Sequence, residues 1–224
     1  MGGLPLLVTV DGPPASGKST VARALARILK VPFLSTGALY RAVAWLALHR
    51  GARLTDQREI ERIARTIRLS FSSSPRGPVR VFVSGREVTA ELTLPEVART
   101  ASTHVAEILG VRAAIVERSR RFFRKPGLVC EGRDCGSVIF PRAPYKFFLT
   151  ASVAARARRR MLDHRRGGVR ISLARLTADL VRREREEKER KVGALLPQPD
   201  AWIVDNTRLD RGETLLRMLR RIAH

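Results

Sequence analysis

Cysteine, lysine and aromatic residues are scarce in this chain of 224 residues, and long apolar runs are missing. The two cysteines, Cys130 and Cys135, have no histidine near them at metal-ligand spacing, so we expect reduced thiols rather than a zinc site or a disulfide framework. The most apolar stretches, such as 6–10 and 147–149, have the length of strands and are too short to span a membrane. The N-terminus lacks the basic region and apolar run of a secretory signal, and we expect a cytoplasmic protein.

The scarcity of lysine goes together with a large excess of arginine. Lysine and arginine number 43 against 21 acidic residues, which gives a formal net charge of +22, and only 6 of the 43 are lysines. Such a surplus favours anionic partners, including nucleic acids. However, the chain has eight Phe, two Tyr and two Trp, and no strand in which aromatic and basic residues alternate. We therefore expect no specific nucleic acid partner and interpret most of the excess as solvated helix surface.

The pattern of apolar residues predicts strands that alternate with helices, which is typical of a parallel sheet covered on both faces. The predicted strands are 6–10, 128–130, 146–149 and 202–204. The predicted helices are 21–29, 38–49, 56–68 with Thr55 or Asp56 as its cap, 95–109 and 111–124 divided at Gly110, 152–166 and 172–190. Between them, residues 69–89 alternate with a period of two and predict an inserted β-hairpin.

Residues 12–19 match the phosphate-loop pattern G-x-x-x-x-G-K-[ST] between a predicted strand and a predicted helix. Glycines let successive backbone N–H groups face a phosphate, and the helix N-terminus adds positive potential. Lys18 should reach the β- and γ-phosphates of a nucleotide, and the Ser19 hydroxyl should bind Mg²⁺. The predicted ATP-binding residues of this segment are Gly12, Pro13, Pro14, Ala15, Ser16, Gly17, Lys18, Ser19 and Thr20.

Two further segments resemble motifs of the bacterial cytidylate kinases. Residues 36–41, Thr-Gly-Ala-Leu-Tyr-Arg, are similar to the family's T/S-G-A-x-Y-R segment. Residues 131–141 contain Gly-Arg-Asp followed by Gly-Ser-Val-Ile-Phe-Pro and are similar to its G-R-D-x-G-[ST]-V-x-F-P stretch. The hairpin insertion also resembles an acceptor-side element of that family. The resemblance runs from residue 6 to about residue 223 and implies an ATP-dependent kinase for CMP and dCMP that requires Mg²⁺.

The resemblance also implies which residues bind the acceptor. Arg41 and Arg133 are candidates to clamp its phosphate, because guanidinium groups bind phosphate oxygens bidentately and keep their charge. Arg112 and Asp134 would read the cytosine edge, where a carboxylate accepts from the 4-amino group. Ser102 matches the position close to the sugar. The further predicted CMP-binding residues of this region are Thr36 and Tyr40.

A second arginine-rich helix resembles the family pattern R-D-x-x-D-x-x-R. Arg183 and Arg190 fit the pattern, but Glu184 and Glu187 replace the aspartates, so the carboxylate expected to approach the ribose is one methylene longer. The run 182–191 is equally typical of an exposed helix with Glu–Arg pairs. On the preceding helix, Arg156 and Arg160 lie four residues apart and are predicted to meet the adenine and phosphates of ATP.

We expect one three-layer α/β phosphate-loop kinase with a central parallel sheet, an inserted β-hairpin and a small helical lid. The predicted regions are a core at about 4–36, 104–155 and 191–224, an acceptor-binding region at about 37–103 and a lid at about 156–190, which closes at Gly167 and Gly168. The predicted catalytic residues are Lys18, Arg41, Arg133 and Arg190. We expect a monomer without a membrane partner. Two alternatives remain, a kinase for UMP or AMP and a basic nucleic-acid-binding protein with a nucleotide switch.

Overall fold

A computed structural model describes residues 5–73, 79–166 and 168–223 of the chain. Gly167, one of the two predicted hinge glycines, lies outside the described residues. The chain forms two compact units. The first unit contains the residues up to Val31 together with those from Lys125 onward, and the second is Pro32–Arg124.

Strands and helices follow one another along the chain singly or in short groups of one kind. The strands are β1 (Leu6–Asp11), β2 (Phe33–Ser35), β3 (Leu69–Ser73), β4 (Val79–Val83), β5 (Arg86–Glu87), β6 (Gly127–Gly132), β7 (Tyr145–Thr150) and β8 (Trp202–Asp205). The α-helices are α1 (Lys18–Ile28), α2 (Thr36–His49), α3 (Gln57–Thr66), α4 (Pro95–Thr100), α5 (Leu109–Phe122), α6 (Val153–Arg166), α7 (Leu173–Lys188) and α8 (Arg211–Ala223). A 3-10 turn, Glu91–Thr93, and two π-helical turns, Ala101–Val105 and Cys135–Ile139, complete the described elements.

The sheet of the first unit runs in the order β6-β1-β7-β8, and every neighbouring pair in it is parallel. Its central strands are buried on both faces, with Val8, Val10 and Phe147 at most 1% exposed. These strands confirm the predicted α/β class and the central parallel sheet. Because parallel strands end at one edge, Asp11 lies beside Gly132, the last residue of β6. The site of the first unit forms at this edge.

Helix α8 is an element that the sequence predictions do not include. It packs against α1 and β8 and begins with a reciprocal cap. The Asp210 carboxylate accepts from the Glu213 N–H at 2.8 Å, while the Glu213 carboxylate accepts from the Asp210 N–H at 2.8 Å. The Asp-x-x-Glu spacing before an apolar helical pattern is the sequence signal for this helix.

The second unit combines helices with a three-stranded antiparallel sheet, β3-β4-β5. Leu69 pairs with Val83 and Ser73 with Val79, which confirms the predicted hairpin, although its turn at 74–78 lies outside the described residues. Asp56 caps α3 by accepting from the Glu59 N–H at 3.1 Å, as one of the two predicted caps requires.

The predicted division of two helices at Gly110 is wrong. Helix α5 begins at Leu109 and contains Gly110, whereas the break falls at residues 106–108, where Ile108 is extended. Gly110 instead lets Glu61 of α3 lie against the α5 backbone, since a Cβ at this glycine would lie 1.9 Å from a Glu61 carboxylate oxygen. The glycine therefore does not break the helix, and the flexible Glu61 side chain lies over it.

Candidate active site

The phosphate loop joins the end of β1 to the start of α1, as the motif predicts. Gly12 has a φ of 153°, and a Cβ there would lie 2.1 Å from the Leu149 carbonyl oxygen of β7, so the position requires glycine. Gly17, the N-cap of α1, has a φ of 87° and also favours glycine. Pro13, Pro14 and Ser16 are buried, whereas Thr20 is exposed on α1.

Lys18 is buried beneath this loop, and its Nζ donates to the Pro13 carbonyl oxygen at 3.3 Å. Burial, followed by the charge of Arg133, lowers the pKa of Lys18 from 10.5 to about 7. The carboxylates of Glu131, Glu187 and Asp11 act in the opposite direction. The ammonium group therefore lies in a field set by residues from several elements of the first unit.

Ser19 lies beside a buried carboxylate that the sequence predictions did not single out. The Ser19 hydroxyl donates to the Glu131 Oε1 at 3.0 Å, and Glu131 is buried near the carboxyl end of β6. Hydroxyl and carboxylate oxygens are the ligands that Mg²⁺ prefers, so this pair fits the predicted metal site. An acidic residue at the end of the strand next to β1 is the signal that could have identified Glu131. In the described part of the chain, no group of three or more His, Cys, Asp or Glu side chains could hold a metal ion.

Asp11 connects β1 to the turn that follows the Gly-Arg-Asp segment. Its two carboxylate oxygens accept from the backbone N–H groups of Cys135 and Gly136, at 2.9 and 2.8 Å. Burial, and to a lesser degree the charge of Asp134, raises the pKa of Asp11 from 3.8 to about 6, although the two backbone hydrogen bonds lower it. Cys130 and Cys135 are free, buried thiols 3.4 Å apart, and burial raises the pKa of each.

Three predicted acceptor residues meet in the first unit. The Arg133 Nε donates to the Glu187 Oε2 at 2.6 Å, and the Arg183 Nη2 lies 4.0 Å from the Glu187 Oε1. Burial opposes both charges, but the ion pair raises the pKa of Arg133 and lowers the pKa of Glu187. Asp134, which follows Arg133, is also buried. Arg190 lies two residues beyond the end of α7.

Helix α6 presents its arginines to different surroundings. Arg156 is 2% exposed and donates to the carbonyl oxygens of Ala151 and Pro14, at 3.0 and 3.3 Å, and to the Glu184 carboxylate. Arg156 thus ties α6 to the phosphate loop and to α7. Arg160 is exposed, and its charge is one of those that lower the pKa of Arg183, after burial as the main cause. The contacts of Arg156 and Arg160 with ATP stay predictions.

Arg159 and Asn206 support the phosphate loop, although neither was predicted to belong to the site. Arg159 donates to the Asn206 side-chain oxygen at 3.0 Å and to the Asn206 carbonyl oxygen at 2.7 Å. The Asn206 amide in turn donates to the Ser16 carbonyl oxygen at 3.0 Å. Arg159 stands in a run of three arginines, and nothing in the sequence distinguishes it from its neighbours.

The second unit carries the remaining predicted acceptor residues. Thr36 is the buried first residue of α2, on which Tyr40 and Arg41 also lie. The buried Arg112 of α5 places its guanidinium carbon 5.9 Å from the centre of the Tyr40 ring, a cation–π contact. The Ser102 hydroxyl donates to the Arg99 carbonyl oxygen at 2.9 Å. Of these residues, the structure brings Tyr40 and Arg112 together.

The family model for cytidylate kinase matches residues 8–224 of the chain. The chain belongs to the cytidylate kinase family. The family and the phosphate-loop kinase fold predicted from the motifs are thereby confirmed. Cytidylate kinase from Salmonella choleraesuis (strain SC-B67) is 38% identical over 213 residues, which cover 95% of this chain and 93% of that protein.

A longer relative contains this family as one part. The bifunctional pantoate ligase/cytidylate kinase of Synechococcus sp. (strain JA-2-3B'a(2-13)) is 43% identical over 209 residues, which cover 92% of this chain and 38% of that protein. The chain therefore spans less than half the length of this relative. A crystal structure of an uncharacterized protein from Eubacterium ventriosum ATCC 27560 is similar with a TM-score of 0.52 and 11% identity, over 97% of this chain and 98% of that one. This likeness concerns the fold alone.

The two glutamates at the acidic positions of the cytidylate kinase family pattern, Glu184 and Glu187, have separate partners. Glu187 pairs with Arg133, whereas Glu184 pairs with Arg156 and, at 2.7 Å, with Lys188. The interpretation of 182–191 as an exposed charged helix holds for Arg182 and Glu186, which pair with each other on the surface. Glu187 is buried, so the run does not form one solvated face.

In the parts of the chain that the structure describes, no helix is long and apolar enough to cross a membrane.

Proposed function

We propose that this chain transfers the terminal phosphoryl group of ATP to CMP and dCMP, giving CDP and dCDP, in pyrimidine nucleotide metabolism. The observation that carries the proposal is that the first unit holds both the buried Lys18 of the phosphate loop and the ion pair of Arg133 with Glu187 at 2.6 Å. The charge of Arg133 acts on Lys18, since it helps to lower the pKa of Lys18 after burial as the main cause. Phosphoryl transfer between two nucleotides requires that a lysine that binds the donor phosphate and an arginine that binds the acceptor phosphate lie near each other.

On the donor side, the loop from Gly12 to Gly17 would cradle the phosphates of ATP, and Lys18 would follow the γ-phosphate as it moves. Ser19 and Glu131 would hold Mg²⁺, which supplies neutralisation of the β- and γ-phosphate charge when bound. Arg159 and Asn206 would keep the loop in place through the Ser16 carbonyl oxygen.

On the acceptor side, Arg133 and Arg183 already face one carboxylate, that of Glu187, and present the forked donors that suit a phosphate. Arg41 and Arg190 would add to the clamp. An acceptor phosphate oxygen is itself a competent nucleophile, so no general base is needed. Catalysis then depends on alignment of the two phosphates and on neutralisation of charge in the transition state.

For the base, Asp134 would accept from the 4-amino group of cytosine, which uracil lacks, and Arg112 would donate to the ring. The cation–π contact of Arg112 with Tyr40 supports a fixed guanidinium orientation. Thr36 would lie near the base, Ser102 near the sugar, and Glu187 near the ribose.

The test is a coupled ADP-release assay with Mg-ATP and each of CMP, dCMP, UMP, AMP, GMP and shikimate. We expect turnover with CMP and dCMP far above the other acceptors, and Lys18→Ala serves as the blank for contaminating kinases. Equal or greater turnover with UMP or AMP would overturn the proposed acceptor. Filter binding of DNA and RNA at physiological salt tests the alternative, because specific, salt-resistant retention would favour a nucleic-acid-binding protein.

The regional organisation is part of the same proposal. The core, the acceptor-binding region at about 37–103 and the lid at about 156–190 keep the boundaries given above. We also propose a cytoplasmic monomer without a specific nucleic acid partner, and light scattering after size exclusion tests the oligomeric state.

A further inference from the structure

We propose that Asp11 is a positioning residue that fixes the acceptor loop, defined as residues 132–136, against the start of the phosphate loop. This inference rests on the proposed function, because the acceptor loop carries Arg133 and Asp134. Asp11 is the last residue of β1 and directly precedes Gly12. Its carboxylate accepts from the backbone N–H groups of Cys135 and Gly136 at 2.9 and 2.8 Å. These two residues directly follow Arg133 and Asp134, so one side chain holds the backbone that comes after the acceptor-binding residues.

The contact has a physical reason in the turn Cys135–Ile139. The first N–H groups of a helical turn have no partner within the turn. The later ones are satisfied internally, since Val138 N–H and Ile139 N–H donate to the Asp134 carbonyl oxygen at 2.9 and 3.2 Å. Asp11 supplies the missing acceptor from a different strand. Each of its oxygens accepts from one of these amides, so the two hydrogen bonds hold the backbone of the acceptor loop.

Gly136 makes the close approach possible. A Cβ at this position would lie 2.9 Å from the Thr9 hydroxyl oxygen and 3.4 Å from the Asp11 Oδ2. Thr9 and Asp11 belong to the same strand, so β1 contacts the acceptor loop closely at two points. The charged groups and thiols that interact electrostatically with the Asp11 carboxylate are Lys18, Arg133, Asp134, Cys130 and Cys135. The charge of Asp11 therefore acts on Lys18 and Arg133, and the charge of Asp134 acts on Asp11, and these three are residues of the proposed site.

The experiment compares wild type, Asp11→Asn and Asp210→Asn in steady-state kinetics with CMP, UMP and Mg-ATP. Asparagine keeps one acceptor oxygen but presents an NH₂ group to the second backbone N–H, so one hydrogen bond is lost. We expect the KM for CMP to rise about tenfold and the preference for CMP over UMP to narrow, while the KM for Mg-ATP stays within about twofold. Asp210 is the matched control, since its carboxylate also accepts a backbone N–H at the start of a helix in the first unit.

A purely structural role for Asp11 predicts a different result. It would lower the thermal midpoint and the active fraction, hence kcat, and would leave both KM values and the CMP preference unchanged, which would overturn the proposal. If Asp11→Asn does not fold, the same kinetic comparison is made with Gly136→Ala, because its methyl group pushes the acceptor loop away from Thr9 and Asp11. A selective rise in the KM for CMP supports the proposal, and equal changes for CMP and Mg-ATP refute it. Wild type without turnover of any monophosphate would instead refute the proposed function itself.

Discussion

Replacement of Glu187 by glutamine removes a charge from the ion pair at the centre of the proposed acceptor site. In the wild type the Arg133 Nε donates to the Glu187 carboxylate at 2.6 Å, and the Glu187 side chain is only 6% exposed. Glutamine has nearly the same size and can still accept one hydrogen bond. The substitution therefore leaves the partly buried guanidinium of Arg133 without its ion-pair partner and creates almost no cavity.

The magnitude follows from the burial of the pair. Removal of one partner of a buried ion pair costs about 3–5 kcal/mol when the other charge is left alone. Here the retained hydrogen bond reduces the effect, and so does the partial exposure of Arg133, whose side chain is 22% exposed. We expect a loss of about 2 kcal/mol in the free energy of unfolding, equivalent to roughly 4–8 °C in Tm for a chain of this size.

The pH dependence has a definite sign. Burial would raise the pKa of Glu187, but the charge and hydrogen bond of Arg133, with further help from Arg183, lower it below its ordinary 4.5. A carboxylate with a depressed pKa stabilises the fold above its unfolded pKa and loses that contribution as the pH falls through the folded value. The stability difference between wild type and Glu187→Gln should therefore be full at pH 7 and shrink below pH 4.5.

The assay is urea unfolding and thermal melting of wild type, Glu187→Gln and Glu186→Gln. Glu186 lies on the same helix and pairs with Arg182 at 3.0 Å, but those side chains are 50% and 60% exposed, so its loss should cost at most about 1 kcal/mol. Equal Tm values for the two variants would refute the reasoning from burial. In kinetics, a lost ribose contact should raise the KM for CMP more than for dCMP, and equal effects on the two acceptors would exclude that contact.

Three further predictions concern neighbouring residues. Lys18→Ala should lower kcat roughly 10²-fold or more while CMP binding stays nearly intact, and near-wild-type turnover would contradict the phosphate-loop assignment. In wild type, kcat/KM for UMP should lie roughly 10- to 200-fold below kcat/KM for CMP. Asp134→Asn should narrow this gap mainly by lowering kcat/KM for CMP. An equal reduction of kcat/KM for both acceptors would show that Asp134 does not read the base. Burial and the charge of Asp134 raise the pKa of Asp11 from 3.8 to about 6, so the Asp11 carboxyl group binds a proton more tightly in the folded state than in the unfolded state. The stability of wild type relative to Asp11→Asn should then fall from pH 4 to pH 7, by about 1.4 kcal/mol per pKa unit in urea unfolding, and a constant difference would contradict it.

The strands and the phosphate loop could be predicted because their signals are local. A buried parallel strand is apolar along its whole length, as β1 is, and the glycines of the loop are required by backbone conformation at Gly12 and Gly17. The prediction that Gly110 divides two helices was wrong because the local sequence does not show which role a glycine has. A glycine inside a helical pattern can end the helix or lie within it, and here it lies within α5 beneath the side chain of Glu61, a residue far away in the sequence.

The ion pairs of the site could not be predicted from the sequence. Each joins residues far apart, such as Arg133 with Glu187 and Arg156 with Glu184, and their choice depends on how α6, α7 and the end of β6 pack. With 43 basic residues in the chain, composition alone gives each carboxylate many equivalent partners. Arg159 shows the same limit, because its neighbour Arg158 is exposed while Arg159 contacts Asn206.

Helical geometry nevertheless separates the members of the charged run in α7. Residues three and four apart lie on one face of a helix, so Glu184 and Glu187 share a face, as do Arg182 and Glu186 on another. The first face is turned toward Arg156 and Arg133, whereas the second pair is on the surface. The spacing of the family pattern R-D-x-x-D-x-x-R therefore places both acidic positions on this face, whether they hold aspartate or glutamate. In this chain each of these two glutamates forms an ion pair with an arginine outside α7, Glu184 with Arg156 and Glu187 with Arg133.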